Sequence, residues 1–162
     1  MTRFDRERID FARRHAVGCV ELMTPQGSDY LPGNDGWKDR ADTVKGAFDE
    51  AGIRISCLAG FYGNHMDPAQ SEQLKQHTRS VIELAAYLKV PVVAGFAGRL
   101  VDRPLEDSLP LFKQIWSEHA RFAEQRGIRI AFEHCPMGRH HLPPGGINCI
   151  CTPAMWERCF NE

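Results

Sequence analysis

Apolar and polar positions along the chain follow two alternating rhythms. Short runs rich in β-branched residues, VGCVEL (17–22), IRISCL (53–58), PVVAGF (91–96) and IRIAFE (128–133), have the length and composition of strands. Between them apolar residues recur every three or four positions. Trp37, Ala41, Val44, Ala47, Phe48 and Ala51 outline one amphipathic helix, and Gly52 supplies the left-handed residue that closes it. Leu74, Val81, Ile82, Ala85 and Leu88 outline a second, for which Asp67 and Pro68 offer an N-cap and a first helical position; it ends before Val90-Pro91. Leu105, Leu109, Phe112, Ile115, Trp116, Phe122 and Ala123 outline a third, closed by Gly127. One more helix, over residues 5–15, precedes the first strand with Phe11 and Ala12 on its apolar side, and the chain stops after a last helix.

The spacing of these elements carries more than any one of them. Strand starts at 17, 53, 91 and 128 are separated by 36, 38 and 37 residues, a near-constant βα period without sequence self-similarity. Strict alternation of strands and helices gives a parallel sheet with right-handed crossovers, either open and doubly wound or closed as an eight-fold barrel. Eight units of this length need roughly 300 residues, and the chain has 162. The expectation is one α/β domain over 1–162 with about four parallel strands and flanking helices, strand units being absent at both ends.

Composition narrows the function classes. The chain is 43% hydrophobic and 25% charged, as expected of a globular domain, and 20 Lys+Arg stand against 21 Asp+Glu. That balance lacks the basic excess of nucleic-acid-binding domains, so no nucleic-acid partner is expected. No run reaches the ~18 apolar residues of a membrane span, and MTRFDRERID, charged from its third residue, has no signal-peptide core. No membrane partner and a cytoplasmic location are expected, with the six cysteines as thiols. Cys19 and Cys57, in strand-like runs, are expected to be buried.

Candidate chemistry concentrates in IRIAFEHCPMGRHHLPPGGINCICTPAMW, residues 128–156. His134, Cys135, His140, His141, Cys149 and Cys151 offer enough N and S donors for a tetrahedral zinc site. The absence of a CxxC pair and the Pro143-Pro144-Gly145-Gly146 turn favour a long loop instead. Glu133 ends the fourth apolar run, the position at which parallel βα arrays place functional side chains. From spacing alone, a salt-bridged or solvated glutamate is the simpler reading.

Four segments, in order and at this spacing, resemble the sugar phosphate isomerase/epimerase family, the xylose-isomerase-like TIM barrels: GCVEL, FYGNHMDP, VPVVAGFAGR, and IRIAFEHCPM followed by GGINCICTPAMWERCF. The resemblance runs through nearly the whole chain and implies a partial (β/α)8 barrel whose visible strands resemble the second to the fifth. It makes Glu133 both a divalent-metal ligand and a catalytic carboxylate, acting on a small sugar or sugar phosphate through an enediolate. The ion would be Mn, Mg, Co or Zn, weakly bound, because the family's other ligands, an Asp, a His and a second Glu, come from the sixth to eighth strands. Asn64 and His65, in the loop after the second run, are suited to sugar hydroxyls, a turn Asn and an exposed loop His being the plain alternative. Arg99 is suited to a substrate oxygen or phosphate, or to a rim ion pair with Asp102 or Glu106. Glu21 is read as structural, and Tyr62 and Trp37 as apolar walls, with packing the simpler role for Trp37. Two other readings are an apurinic-endonuclease-like metal-dependent phosphodiesterase, which needs more histidines and a basic face, and a non-catalytic half-barrel that self-associates. As a sugar isomerase or epimerase the fragment is expected to be incomplete and inactive by itself, and its two open edges predict a homo-oligomer.

Overall fold

The computed structural model describes residues 5–135 and 146–162, in which four strands alternate with five helices. The order is α1 (Arg6–Arg14), β1 (Cys19–Met23), α2 (Trp37–Glu50), β2 (Arg54–Phe61), α3 (Ser71–Leu88), β3 (Val92–Gly95), α4 (Leu105–Glu124), β4 (Arg129–Phe132) and α5 (Pro153–Phe160). The strands form one sheet in the order β1-β2-β3-β4 with every pair parallel. This is the parallel sheet expected from the βα period, and the partial barrel that the family resemblance implies.

Helix ends follow the sequence signals closely. Gly52 (φ 71°) and Gly127 (φ 68°) adopt the left-handed conformation after α2 and α4, and the next amides, Ile53 and Ile128, bond back to Phe48 and Ala123 carbonyls. Lys89 (φ 58°) performs the same closure for α3 without being a glycine. The start of α3 departs from expectation. Asp67 does not cap it; its carboxylate accepts from the Ala69 amide and from Gln70 Nε2, closing a separate turn, and the helix begins at Ser71. At α5, Thr152 caps through its hydroxyl to the Met155 amide and Pro153 takes the first turn, where its missing N–H costs nothing.

The core lies between the sheet and the helices. Ile53, Leu58 and Phe61 of the β2 segment and Val93 of β3 are buried against Val81, Ile82, Leu84 and Ala85 of α3, while Phe112 and Trp116 of α4 close the β4 side. Two register shifts shape β2. Glu21 pairs with Cys57 although Val20 pairs with Ile55, and Phe61 pairs with Gly95 although Ala59 pairs with Ala94. Gly60 is the extra residue in the second bulge. A β-carbon there would meet Val81 of α3, while Phe61 also turns toward the helices and packs on Trp116. Two successive residues therefore face one side, and Tyr62 emerges on the other. Cys57 is buried as expected, but Cys19 is exposed, because β1 is an edge strand with a neighbour on one side only.

Candidate active site

Glu133 follows the last residue of β4, and its amide extends the ladder by donating to the Gly95 carbonyl at 2.9 Å. Its backbone is gripped a second time. Asn148, fully buried, donates through Nδ2 to the carbonyls of Glu133 (3.0 Å), Cys135 (2.8 Å) and Ile150 (3.3 Å). Its Oδ1 accepts from the amides of Ala97 and Ile150. One carboxamide thus ties the ends of β3 and β4 to the segment that leads into α5, and fixes the backbone from which the Glu133 carboxylate projects.

On the side chain, Oε1 of Glu133 accepts the Tyr62 phenol at 2.5 Å, and the same phenol lies 3.3 Å from Oε1 of Glu21. A phenol at the end of β2 therefore bridges a carboxylate from β1 and one beyond β4. The Tyr62 ring is held edge-on by Phe96, with centroids 4.8 Å apart. Burial, the bond to Glu133 and the negative charge of Glu21 hold the phenol protonated far above the ordinary tyrosine range. Cys57, paired with Glu21 in the ladder, completes the cluster; burial, followed by the charge and hydrogen bond of Glu21 and the charge of Glu133, pushes its thiol up to about 12. The arrangement presents two carboxylates, a phenol whose proton is committed to them and an aromatic wall on the sheet face opposite the helices, an acceptor-rich set suited to the hydroxyls of polyhydroxylated molecules.

Asn64, His65 and Arg99 reach the same end of the sheet but lie beneath that surface. Asn64 is buried and stitches two loops together, its Oδ1 accepting from the amides of Met66 and Arg99 and its Nδ2 donating to the Arg99 carbonyl. Gly98 (φ 82°) has to be a glycine on both grounds, since a β-carbon would also stand 2.8 Å from the Asn64 carboxamide oxygen. Arg99 is buried as well, and its guanidinium donates to the Arg103 carbonyl. His65 is 1% exposed and sits among Phe61, Trp116 and His119, on the α4 side of the sheet. Neither of its ring nitrogens finds a partner among the described residues. Burial, then the charges of His119 and His77, lower it to about 3; burial lowers His119 to about 4. The open loop histidine expected from FYGNHMDP is thus a neutral core residue, because the turn at 64–67 folds its ring under the loop.

The sequence reading set aside two residues that the geometry brings forward. Glu21 stood out only as the last polar position of its run, and Tyr62 was read for its ring rather than its hydroxyl. Asn148, in INCIC, carries no signal beyond its place just before Cys149. Trp37 packs against Tyr87 instead, centroids 5.0 Å apart. Of the zinc reading, His140 and His141 lie outside the described residues; among the described residues no group of three His, Cys, Asp or Glu side chains gathers to hold a metal.

A one-layer βα array with polar side chains gathered at the carboxyl ends of its strands is part of a (β/α)8 barrel. The chain belongs to the xylose isomerase-like TIM barrel family, whose model matches residues 9–161. Among solved structures it is similar to a xylose isomerase-like TIM barrel protein from Mycobacterium smegmatis in complex with magnesium, with a TM-score of 0.70 at 14% identity over 96% of this chain and 51% of that one. It is also similar to a xylose isomerase domain protein from Alicyclobacillus acidocaldarius (TM-score 0.64, 17% identity, 98% of this chain and 56% of that one). A third is D-psicose 3-epimerase with D-tagatose from Clostridium cellulolyticum H10 (TM-score 0.59, 13% identity, 77% and 45%). The chain spans about half the length of these structures. Among curated proteins none matches it.

Proposed function

We propose that the chain is part of a sugar isomerase or epimerase that moves a proton at the carbon next to the carbonyl of a small sugar or sugar phosphate, with Glu133 as the catalytic carboxylate. The observation that supports this is the seat of Glu133. Its backbone is clamped by Gly95 and Asn148, and one carboxylate oxygen is fixed by Tyr62, which leaves Oε2 with no hydrogen bond from the other described residues. A base that abstracts a C–H proton needs such a fixed, uncommitted oxygen. The Tyr62 oxygen and the Glu21 carboxylate offer acceptors for neighbouring hydroxyls. In this reading Asn64 and Arg99 act from behind, holding the loop that frames the site, and His65 fills the core beneath it.

A divalent cation, Mn, Mg, Co or Zn, enters through the family resemblance and would act as a Lewis acid toward the enediolate oxygens. Glu133 would be one of its ligands. The described residues do not assemble the remaining ligands, so the isolated chain should hold such an ion weakly. A cytoplasmic setting belongs to the same reading. No helix among the described residues is long and apolar enough to cross a membrane.

The test is an isomerisation assay on two polypeptides. The 162-residue chain alone, supplied with each of the four metals in turn, is expected to show no measurable turnover. A polypeptide extended by adjoining coding sequence to supply the other four strands is expected to turn over, and to lose at least about a hundredfold on Glu133→Gln, the usual weight of a general acid–base group. Turnover that survives Glu133→Gln would overturn the assignment.

A further inference from the structure

Two of the six cysteines stand across from one another where the chain leaves β4 and enters α5. Cys135 follows Glu133 by two residues, and Cys151 immediately precedes Thr152, the N-cap of α5. The Cys151 thiol donates to the Cys135 carbonyl at 3.1 Å and to the Asn148 carbonyl at 3.3 Å. A carbonyl oxygen lies roughly 3 Å from the β-carbon of its own residue, which places the Cys151 sulfur within about 6 Å of the Cys135 β-carbon. In a disulfide each sulfur lies roughly 3 Å from the partner's β-carbon, so rotation about χ1 and a backbone shift of at most about 3 Å separate the reduced pair from a joined one. Asn148 already draws the two backbones together by donating to both the Cys135 and Ile150 carbonyls.

The other cysteines lack this combination of nearness and access. Cys149 and Cys159 are buried at 0% and 2% exposure. Cys57 is buried beside Glu21, and Cys19 is exposed on β1, opposite Arg54 in the ladder. Cys135 and Cys151 are both partly exposed. We propose that Cys135 and Cys151 are an oxidative modification site: in the presence of a small-molecule disulfide they join in an intramolecular bond that rivets the end of β4 to the start of α5, beside Glu133. The thiolate of one cysteine attacks the S–S bond of oxidised glutathione, forming a mixed disulfide and expelling one glutathione thiolate. The thiolate of the other attacks the protein sulfur of that mixed disulfide and expels the second. The protein loses two protons and two electrons, and these reduce one oxidised glutathione to two thiols. The site does not depend on the function proposed above. Its consequence for the carboxylate is mechanical, since the clamp now held by Asn148 hydrogen bonds becomes covalent.

The experiment is peptide mapping without reduction, after equilibration of the chain with oxidised and reduced glutathione at a series of ratios and alkylation of remaining thiols. Trypsin cuts at Arg139, so Cys135 and Cys151 fall on different peptides. Cys149 shares the second peptide, and Cys149→Ser removes that ambiguity. The expected product is a linked pair that persists in Cys149→Ser and disappears in Cys151→Ser, with a glutathione adduct on Cys135 in its place. Cys19 provides the internal gauge of oxidation. Should Cys135 and Cys151 stay open to alkylation under conditions that glutathionylate Cys19, or should Cys135 pair mainly with another cysteine, the proposal is overturned. The map of Cys149→Ser, in which Cys151 is the one thiol of the second peptide, decides the question even if Cys151→Ser folds poorly.

Discussion

His65 and His119 show what single residues cost and contribute here. Both rings are almost fully buried between the sheet and α4, and the fold holds them neutral, at about 3 and about 4 against an ordinary value of 6.5. An unfolded chain takes up protons on these rings near pH 6.5, whereas the folded chain does so only when the pH has fallen much further. The unfolded state therefore binds more protons throughout that interval, so stability is fully present above pH 6.5 and drains away as the pH drops toward 4. The expected slope is about 1.4 kcal/mol per pH unit for each ring. Urea unfolding at pH 7, 6 and 5 should show midpoints falling steeply, and His65→Leu should flatten the dependence by about one proton. A midpoint that stays level across this range would show that these rings find partners in solution.

At the scale of elements, β2 and β3 meet through a glycine whose replacement can be anticipated with confidence in its sign. A β-carbon at Gly95 would run into the Phe61 ring and stand 2.5 Å from the Phe61 carbonyl oxygen, so Gly95→Ala should cost about 1–3 kcal/mol as an overpacked core site. Gly46, inside α2, has nothing within 4 Å of the same added carbon, and Gly46→Ala should stabilise by up to about 1 kcal/mol. Thermal melts of the two variants should move in opposite directions, and a shift of the same sign in both would count against the packing of the sheet. Much of this level was legible in the sequence. The 3.6-residue spacing of Val44, Phe48, Val81 and Ile82 and the closing glycines at 52 and 127 needed only local physics. The candidate site was legible in part. Glu133 announced itself as the polar end of an apolar run, but the partnership of Glu21 and Tyr62 depends on ladder register, which one sequence does not display. The burial of Asn64 and His65 depends on a turn that folds polar residues inward, against the usual rule for loops.

At the scale of the whole molecule, the sheet of the described residues has two free edges. β1 and β4 each lack one neighbour, and beside β4 an apolar groove of about 480 Å³ runs between α4 and α5, lined by Phe112, Trp116, Ile130, Phe132 and Phe160. Phe160 is 60% exposed. Open edges with apolar flanks are templates for association. Two copies do not simply close a barrel, however, since each carries five helices and an eight-fold barrel has places for only eight; α5 of one copy and α1 of the next would claim the same position. The isolated chain is thus expected to associate through its edges without a closed stoichiometry. Light scattering should give a mass that climbs with concentration and does not level off at two chains; a stable monomer at tens of micromolar would refute this, and so would a discrete dimer.

The bulge at Gly60 bears on how such a chain can change over generations. Because side chains along a strand alternate, a regular β2 of this length would turn Tyr62 into the helical layer, and the extra residue at Gly60 brings the phenol round to the face of Glu21 and Glu133. The loss of that one residue is absorbed, since Phe61 takes the place of Gly60 against the helices and Tyr62 keeps its face. A second loss finds no slack there and delivers the phenol into the helical layer. Lineages of this fold should therefore accept a β2 shorter by one residue at the bulge, which serves the strand as a spare link, and reject a β2 shorter by two.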